Sequence, residues 1–220
     1  MRQAFLAAVL CASVAPLHSA RALDGAVPPG WSEARRDKEL ILFYQDNEKA
    51  KARAFQAIGE ANAPPSAVYA AVTDVEAHPK FMPFTKESRI LKRLNELEVI
   101  AYQVISPPMI NERDSCLHIK LTPGSSATGD VWRSEWNEVA ECPAEKQGLI
   151  RLPVAEGNWL FEPLDGGKRT RITYTSLTSI GGAVPGWIAN MSTSNIIPDI
   201  FKAVRKRVAD LAAAAAGPAK

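Results

Sequence analysis

The sequence predicts an α+β fold in which a curved antiparallel sheet wraps around one long C-terminal helix. Apolar residues recur every three or four positions through Val184, Trp187, Ile188, Met191, Ile197, Ile200, Phe201, Val204, Val208 and Leu211, the mark of a helix about 30 residues long with one apolar face. The roughly 140 residues before it consist mainly of short segments alternating with period two, interrupted by one clear helical pattern. A doubly wound sheet would need a helix after nearly every strand, so that architecture is excluded and a helix-grip arrangement remains.

The elements follow in order. The first 22 residues read as an export signal: basic Arg2, an apolar run from Ala4 to Ala15 too short to span a bilayer, and the small-x-small site Ala20-Arg21-Ala22. Leu10 stands before Cys11 where lipidation wants a small residue, so cleavage is expected; the alternative is an uncleaved N-terminal anchor. Residues 23–30 form a flexible lead-in, 31–212 a single domain and 213–220 a disordered tail. Charge-rich Trp31 to Lys38 predicts a short helix, followed by a hairpin of two strands, Leu40 to Gln45 and Ala50 to Glu60. Ala63-Pro64-Pro65-Ser66 opens a helix carrying Val68, Tyr69, Val72 and Val75 that stops near His78-Pro79; Lys80 to Phe84 then turns Phe81 and Phe84 toward the core. Strand patterns continue at Ser88–Arg93, Leu97–Ile105, Arg113–Leu121, Val131–Ala140, Leu149–Pro153, Asn158–Pro163 and Arg169–Leu177, separated by turn-forming segments such as TPGSSATGD and Asp165-Gly166-Gly167. In the terminal helix, Ser192 to Asn195 and Pro198 predict a bend or loosened turn.

With the leader removed, 24 basic residues face 24 acidic ones, which argues against nucleic acid as a partner. No later stretch is long and apolar enough to cross a membrane, and the expected product is soluble, in the periplasm or secreted. Cys116 and Cys142 either pair in that oxidising compartment or leave Cys116 as a small buried hydrophobe. Two cysteines without clustered histidines make no metal site, and no cofactor motif is present.

Arg113 shares a strand face with Ser115, Leu117, Ile119 and Leu121, while Asp114, Cys116, His118 and Lys120 occupy the other. A guanidinium on so apolar a face needs an acceptor, structured water or a ligand's polar group, unless its head reaches solvent at the strand's edge. Trp132 and Trp136 share a face with Ser134 between them, and Trp159 and Phe161 repeat the pattern later. Rigid rings at period two build either packed core or the wall of an apolar cavity. Enzyme chemistry finds few carriers. His78 beside Pro79 reads as a helix-end residue, His118 lies opposite Arg113, and G-x-S-x-G, H-E-x-x-H and Gly-rich phosphate loops are absent.

WSEARRDKELILFYQDN, AIGEANAPPSAVYAAVTDVEAHPKFMP, the triplet Glu112-Arg113-Asp114 and KQGLIRLPVAEGNWLFEPLDGGKRTRITYTSLTSIGGAVPGWIANMSTSNIIPDIFKAVRKRV, in this order and spacing, resemble the START domain, the steroidogenic-acute-regulatory-related lipid-transfer family. The likeness spans Trp31 to Leu211. It implies a hydrophobic tunnel between sheet and C-terminal helix that holds one lipid, such as a sterol or phospholipid, for noncatalytic transfer. Loops Ser106 to Asn111 and Gly181 to Gly186 would open it, and Arg113 takes the place of the tunnel arginine. The expected lipid contacts are Arg113, Gln103, Ser115, Leu117, Ile119, Trp132, Trp136, Trp159, Phe161, Tyr174, Trp187, Ile188 and Met191.

One departure stands out. Steroid-binding members commonly pair the arginine with an acid on the preceding strand, where this chain has Tyr102-Gln103. Gln103 would accept a hydrogen bond without neutralising the charge, so an anionic or strongly accepting head group is expected. Trp187, Ile188 and Met191 suit transient membrane contact; Arg205, Lys206 and Arg207 add weak attraction to anionic lipid or form a solvated face. The alternatives are an aromatase, cyclase or hydrolase acting on a hydrophobic substrate, and a partner-binding module with a filled core.

Overall fold

A computed structural model describes residues 23–125, 129–182 and 186–217, without the side chains of 186–195. The leader, residues 126–128 of the TPGSSATGD segment and the side chains of Trp187, Ile188 and Met191 lie outside the described residues. The chain runs β1 (Ser32–Arg36), β2 (Leu40–Asn47), β3 (Ala52–Ala61), α1 (Pro65–Thr73), a 3-10 helix (Val75–Lys80), β4 (Thr85–Asn95), β5 (Glu98–Ile105), β6 (Arg113–Thr122), β7 (Trp132–Glu138), β8 (Ile150–Arg151), β9 (Val154–Leu164), β10 (Arg169–Ser179) and α2 (Gly186–Ala216). Nine strands form one antiparallel path in the order β1-β2-β3-β10-β9-β7-β6-β5-β4. β8 pairs parallel to the first residues of β6, a stretch that β7 does not reach. The sheet is curved and carries the C-terminal helix in the helix-grip manner.

Several local expectations are corrected. Ser32–Arg36 is a strand rather than part of a helix. The Asp37 carboxylate accepts the N–H groups of Glu39 and Leu40 at 2.8 and 3.0 Å, closing a turn that sets Arg36 opposite Ile41. All five β1 residues are exposed, and a charged strand at the sheet's edge discourages further pairing. The first helix ends at Thr73, leaving His78 and Pro79 in the 3-10 helix. Phe84 is 39% exposed, with φ at 59°, and does not turn into the core. α2 continues as one helix through Pro198 and past 212 to Ala216, where the alanine run favours helix.

Ile197, Phe201, Val204 and Val208 recur at helical spacing and bury one stripe of α2 against Phe55, Ala57 and Ile172 of the sheet and Val68 and Val72 of α1. Gly59 on β3 permits this close approach, since a Cβ there would stand 2.7 Å from the Phe201 ring. On the opposite face, Tyr102, Val104 and Cys116 form a smaller core beneath Val139, Cys142 and Leu149. A disulfide joins Cys116 to Cys142 across a Cα separation of 5.5 Å, resolving the choice that spacing left open. Nearby, the Asp114 carboxylate accepts Arg151 Nε at 2.7 Å, Arg151 Nη2 at 2.9 Å and the Tyr102 hydroxyl at 3.1 Å. Together these bonds fasten the β7–β8 segment to the outside of the sheet.

Candidate functional site

Alternation aims a set of strand residues at the space between sheet and α2, and they do not fill it. A cavity of about 280 Å³ remains. β5 contributes Gln103 and Ile105, β6 Ser115, Leu117 and Ile119, β7 Ser134 and Trp136, β9 Ala155 and Trp159, and β10 Tyr174, Ser176 and Thr178. Val72, Val75 and His78 close one side, Ile196, Ile197 and Ile200 of α2 another, and Phe84, Pro107 and Ile110 come from the connecting loops. Space survives because Ser115, Ser134 and Ser176 occupy inward positions where larger apolar residues would pack. Gly157 has a related role: a Cβ there would come 2.5 Å from the Trp136 ring, so glycine lets the indole lie over β9 and stack on Tyr174 at 5.9 Å. A hollow of about 650 Å³ beside the C-terminal half of α2 is lined by Lys38, Glu39, Glu60, Lys202 and Arg205 among others, and its charges make it a poor receptor for an apolar molecule.

The cavity wall contains no Asp, Glu, Lys or Arg among the described residues. Residues 126–128 and 183–195 contain none of these types either. Desolvation pushes the His78 imidazole below its ordinary range and the Tyr174 phenol above its own, so both stay neutral at neutral pH. His78 Nε2 lies 2.8 Å from the Val72 carbonyl oxygen, which can only accept, so Nε2 carries the hydrogen. In the neutral ring Nδ1 is then the acceptor, and Gln103 Nε2 donates to it at 3.3 Å. The same amide nitrogen donates to Ser88 Oγ at 3.3 Å.

Arg113 is 1% exposed, yet it is not among the lining residues. Its Nε donates to the Ile180 carbonyl at 3.3 Å and its Nη1 to the Asn111 carbonyl. Burial pulls the guanidinium pKa down, but the group remains charged, stabilised by these main-chain dipoles. Gln103 is therefore not its partner, contrary to the sequence-based expectation; that amide is turned toward His78 and Ser88. Gln103, Ser115, Leu117, Ile119, Trp136, Trp159 and Tyr174 are on the cavity wall. Trp132 and Phe161 are packed behind it, against Tyr69 of α1 at centroid distances of 4.9 and 6.1 Å. Sequence reasoning missed His78, Ser134 and Ser176 as lining residues. The available signal was a small hydroxyl residue on an otherwise apolar strand face. Arg205 donates to the carbonyls of Glu60 and Glu39, Lys206 pairs with Asp210 and Arg207 with Asp74, so all three cations of the expected membrane-attracting group have partners within the chain.

The description "Polyketide cyclase / dehydrase and lipid transport" belongs to a family model that matches residues 61–205. An uncharacterized protein of Pseudomonas aeruginosa is 27% identical over 166 residues, covering 75% of this chain and 80% of its own. A STAR-related lipid transfer protein of Xanthomonas axonopodis superposes with a TM-score of 0.70 at 25% identity, over 81% of this chain and 98% of that one. Human StAR-related lipid transfer protein 5 gives 0.75 at 14% identity over 84% and 88%, a likeness of fold. An aromatase/cyclase of Streptomyces sp. R1128 gives 0.54 at 16% identity over 71% and 93%, so the same fold also serves enzymes. With its ten-stranded curved sheet, gripped helix and intervening apolar cavity, the chain belongs to the polyketide cyclase/dehydrase and lipid transport family, in the START domain form.

Proposed function

We propose that this protein holds one lipid, such as a sterol, phospholipid or related hydrophobic molecule, in the cavity beneath α2 and transfers it between membranes without altering it. The cavity carries this reading: among the described residues its wall is mainly apolar, and its polar side-chain groups are hydroxyls, an amide, indole N–H groups and a neutral imidazole. Each methylene moved from water into such surroundings gains about 0.8 kcal/mol, enough in sum to keep a chain bound during passage through water. Contact with a bilayer offers the lipid an equally apolar destination. Phe84 and Met109, 39% and 70% exposed, lie on the loops flanking the cavity and support a transient membrane contact there. Both ring nitrogens of His78 are engaged within the chain, which favours carriage over aromatase, cyclase or hydrolase chemistry. The leader pattern and the disulfide favour export to the periplasm or beyond, where disulfides persist.

Native mass spectrometry of protein isolated from its own compartment tests the reading, followed by extraction of what is bound and a transfer assay between donor and acceptor vesicles. One extractable lipid per chain, delivered to acceptor vesicles, is the expected result. An empty protein that takes up no lipid or sterol would overturn it, and turnover of a bound aromatic precursor would favour the enzyme.

A further inference from the structure

Resting on the carrier reading, we propose that the cavity selects an uncharged lipid bearing a hydrogen-bond donor, with Gln103 Oε1 accepting that donor and His78 acting as the positioning residue that aims the amide. The orientation follows from a chain of obligations. The Val72 carbonyl requires a hydrogen on His78 Nε2; this makes Nδ1 an acceptor, which in turn requires the NH₂ end of Gln103 to face it. Ser88 Oγ takes the second hydrogen of that NH₂ group. The carbonyl oxygen of the amide is left with lone pairs and no partner among the described residues, on a side chain that lines the cavity. Directly across the β5–β6 ladder from Gln103 stands Ser115, whose hydroxyl adds a second polar contact on the same wall.

Charge selection follows from the same wall. A carboxylate or phosphate head entering the cavity would lose its water and meet no cationic side chain among the described lining residues. Arg113 does not supply one, because its guanidinium is turned to the carbonyls of Asn111 and Ile180. This reverses the anionic preference expected from the sequence. A hydroxyl loses far less on desolvation and recovers it at Gln103.

Displacement of the neutral fluorophore N-phenyl-1-naphthylamine by three probes of similar size provides the test: 1-dodecanol, 1-methoxyundecane and dodecanoate, at pH 8. Dodecanol should bind roughly three- to tenfold more tightly than the ether, the worth of one hydrogen bond, and dodecanoate more weakly than either. In Gln103→Leu the alcohol-to-ether ratio should fall to about one. His78→Leu should lose the preference as well, whereas His78→Asn, which retains an acceptor near the Nδ1 position, should keep it. A merely structural role for His78 would change all affinities together and leave the ratio intact. Tighter binding of dodecanoate than dodecanol, or an unchanged ratio in Gln103→Leu, overturns the proposal. If neither the fluorophore nor any probe binds, the carrier reading itself fails and the selectivity with it.

Discussion

Arg113 and Asp114 are consecutive, and strand alternation sends them to opposite faces of the sheet, where each is 1% exposed. Among the described residues the arginine hydrogen-bonds main-chain carbonyls, whereas the aspartate meets a guanidinium and a phenol. Removing the aspartate in Asp114→Ala strands Arg151 and the Tyr102 hydroxyl together, and a loss of about 3 kcal/mol in urea unfolding is expected. A loss below about 0.5 kcal/mol would mean the cluster contributes little. The side to which Arg113 points was legible, because period-two alternation states it directly. Its acceptors were not, since a backbone carbonyl has no residue-type signature and Ile180 is distant in the chain. His78 does sit at a helix end, in the last turn of the 3-10 helix, as the neighbouring proline indicates, but that position does not tell what the ring faces.

The loop between β5 and β6 and the connection after β10 are held at one point by the Arg113 guanidinium, which reaches a carbonyl in each. It acts as a clamp between two segments that border the cavity through Pro107, Ile110 and Ile180. Substitution Arg113→Met keeps the stem and removes both donors. Amide hydrogen exchange over 106–112 and 180–182 should accelerate about tenfold, with little change around Phe201 and Val204. Unchanged exchange in both segments would rule the clamp out. At this scale, long alternating segments such as β6 and β10 could be read from sequence because burial on one face enforces their pattern. β1 could not: its five residues are exposed, so nothing in their order reports the pairing with β2.

Two titrating groups, half-buried His78 and buried Asp114, give the whole molecule an asymmetric response to acid. His78 has its pKa lowered by desolvation, while the Val72 carbonyl and Asp74 pull it back up; Phe81 and Gln103 also face the ring. The unfolded chain therefore takes up this proton first, and the associated stability is complete above about pH 6.5 and lost as pH falls below it. Burial works against the charged form of Asp114, but its bonds to Arg151 and Tyr102 hold the carboxyl below the usual range, so its contribution is complete above about pH 4 and lost below. Urea unfolding should show a first decline beginning near pH 6.5, with a slope of at most about 1.4 kcal/mol per pH unit from His78, and a second below about pH 4. His78→Asn should flatten the first decline; an identical profile in that variant would remove His78 as its origin. The fold at this scale was legible from element order and resemblance, while the cavity was not, because identical inward rings either pack together or line a void according to the size of their neighbours. Trp132 and Trp136 divide in this way. The disulfide has one further consequence. Because Cys116 and Cys142 are joined on the face away from the cavity, the described wall contains no thiol, and any occupant bearing an enone or epoxide would meet no sulfur nucleophile there.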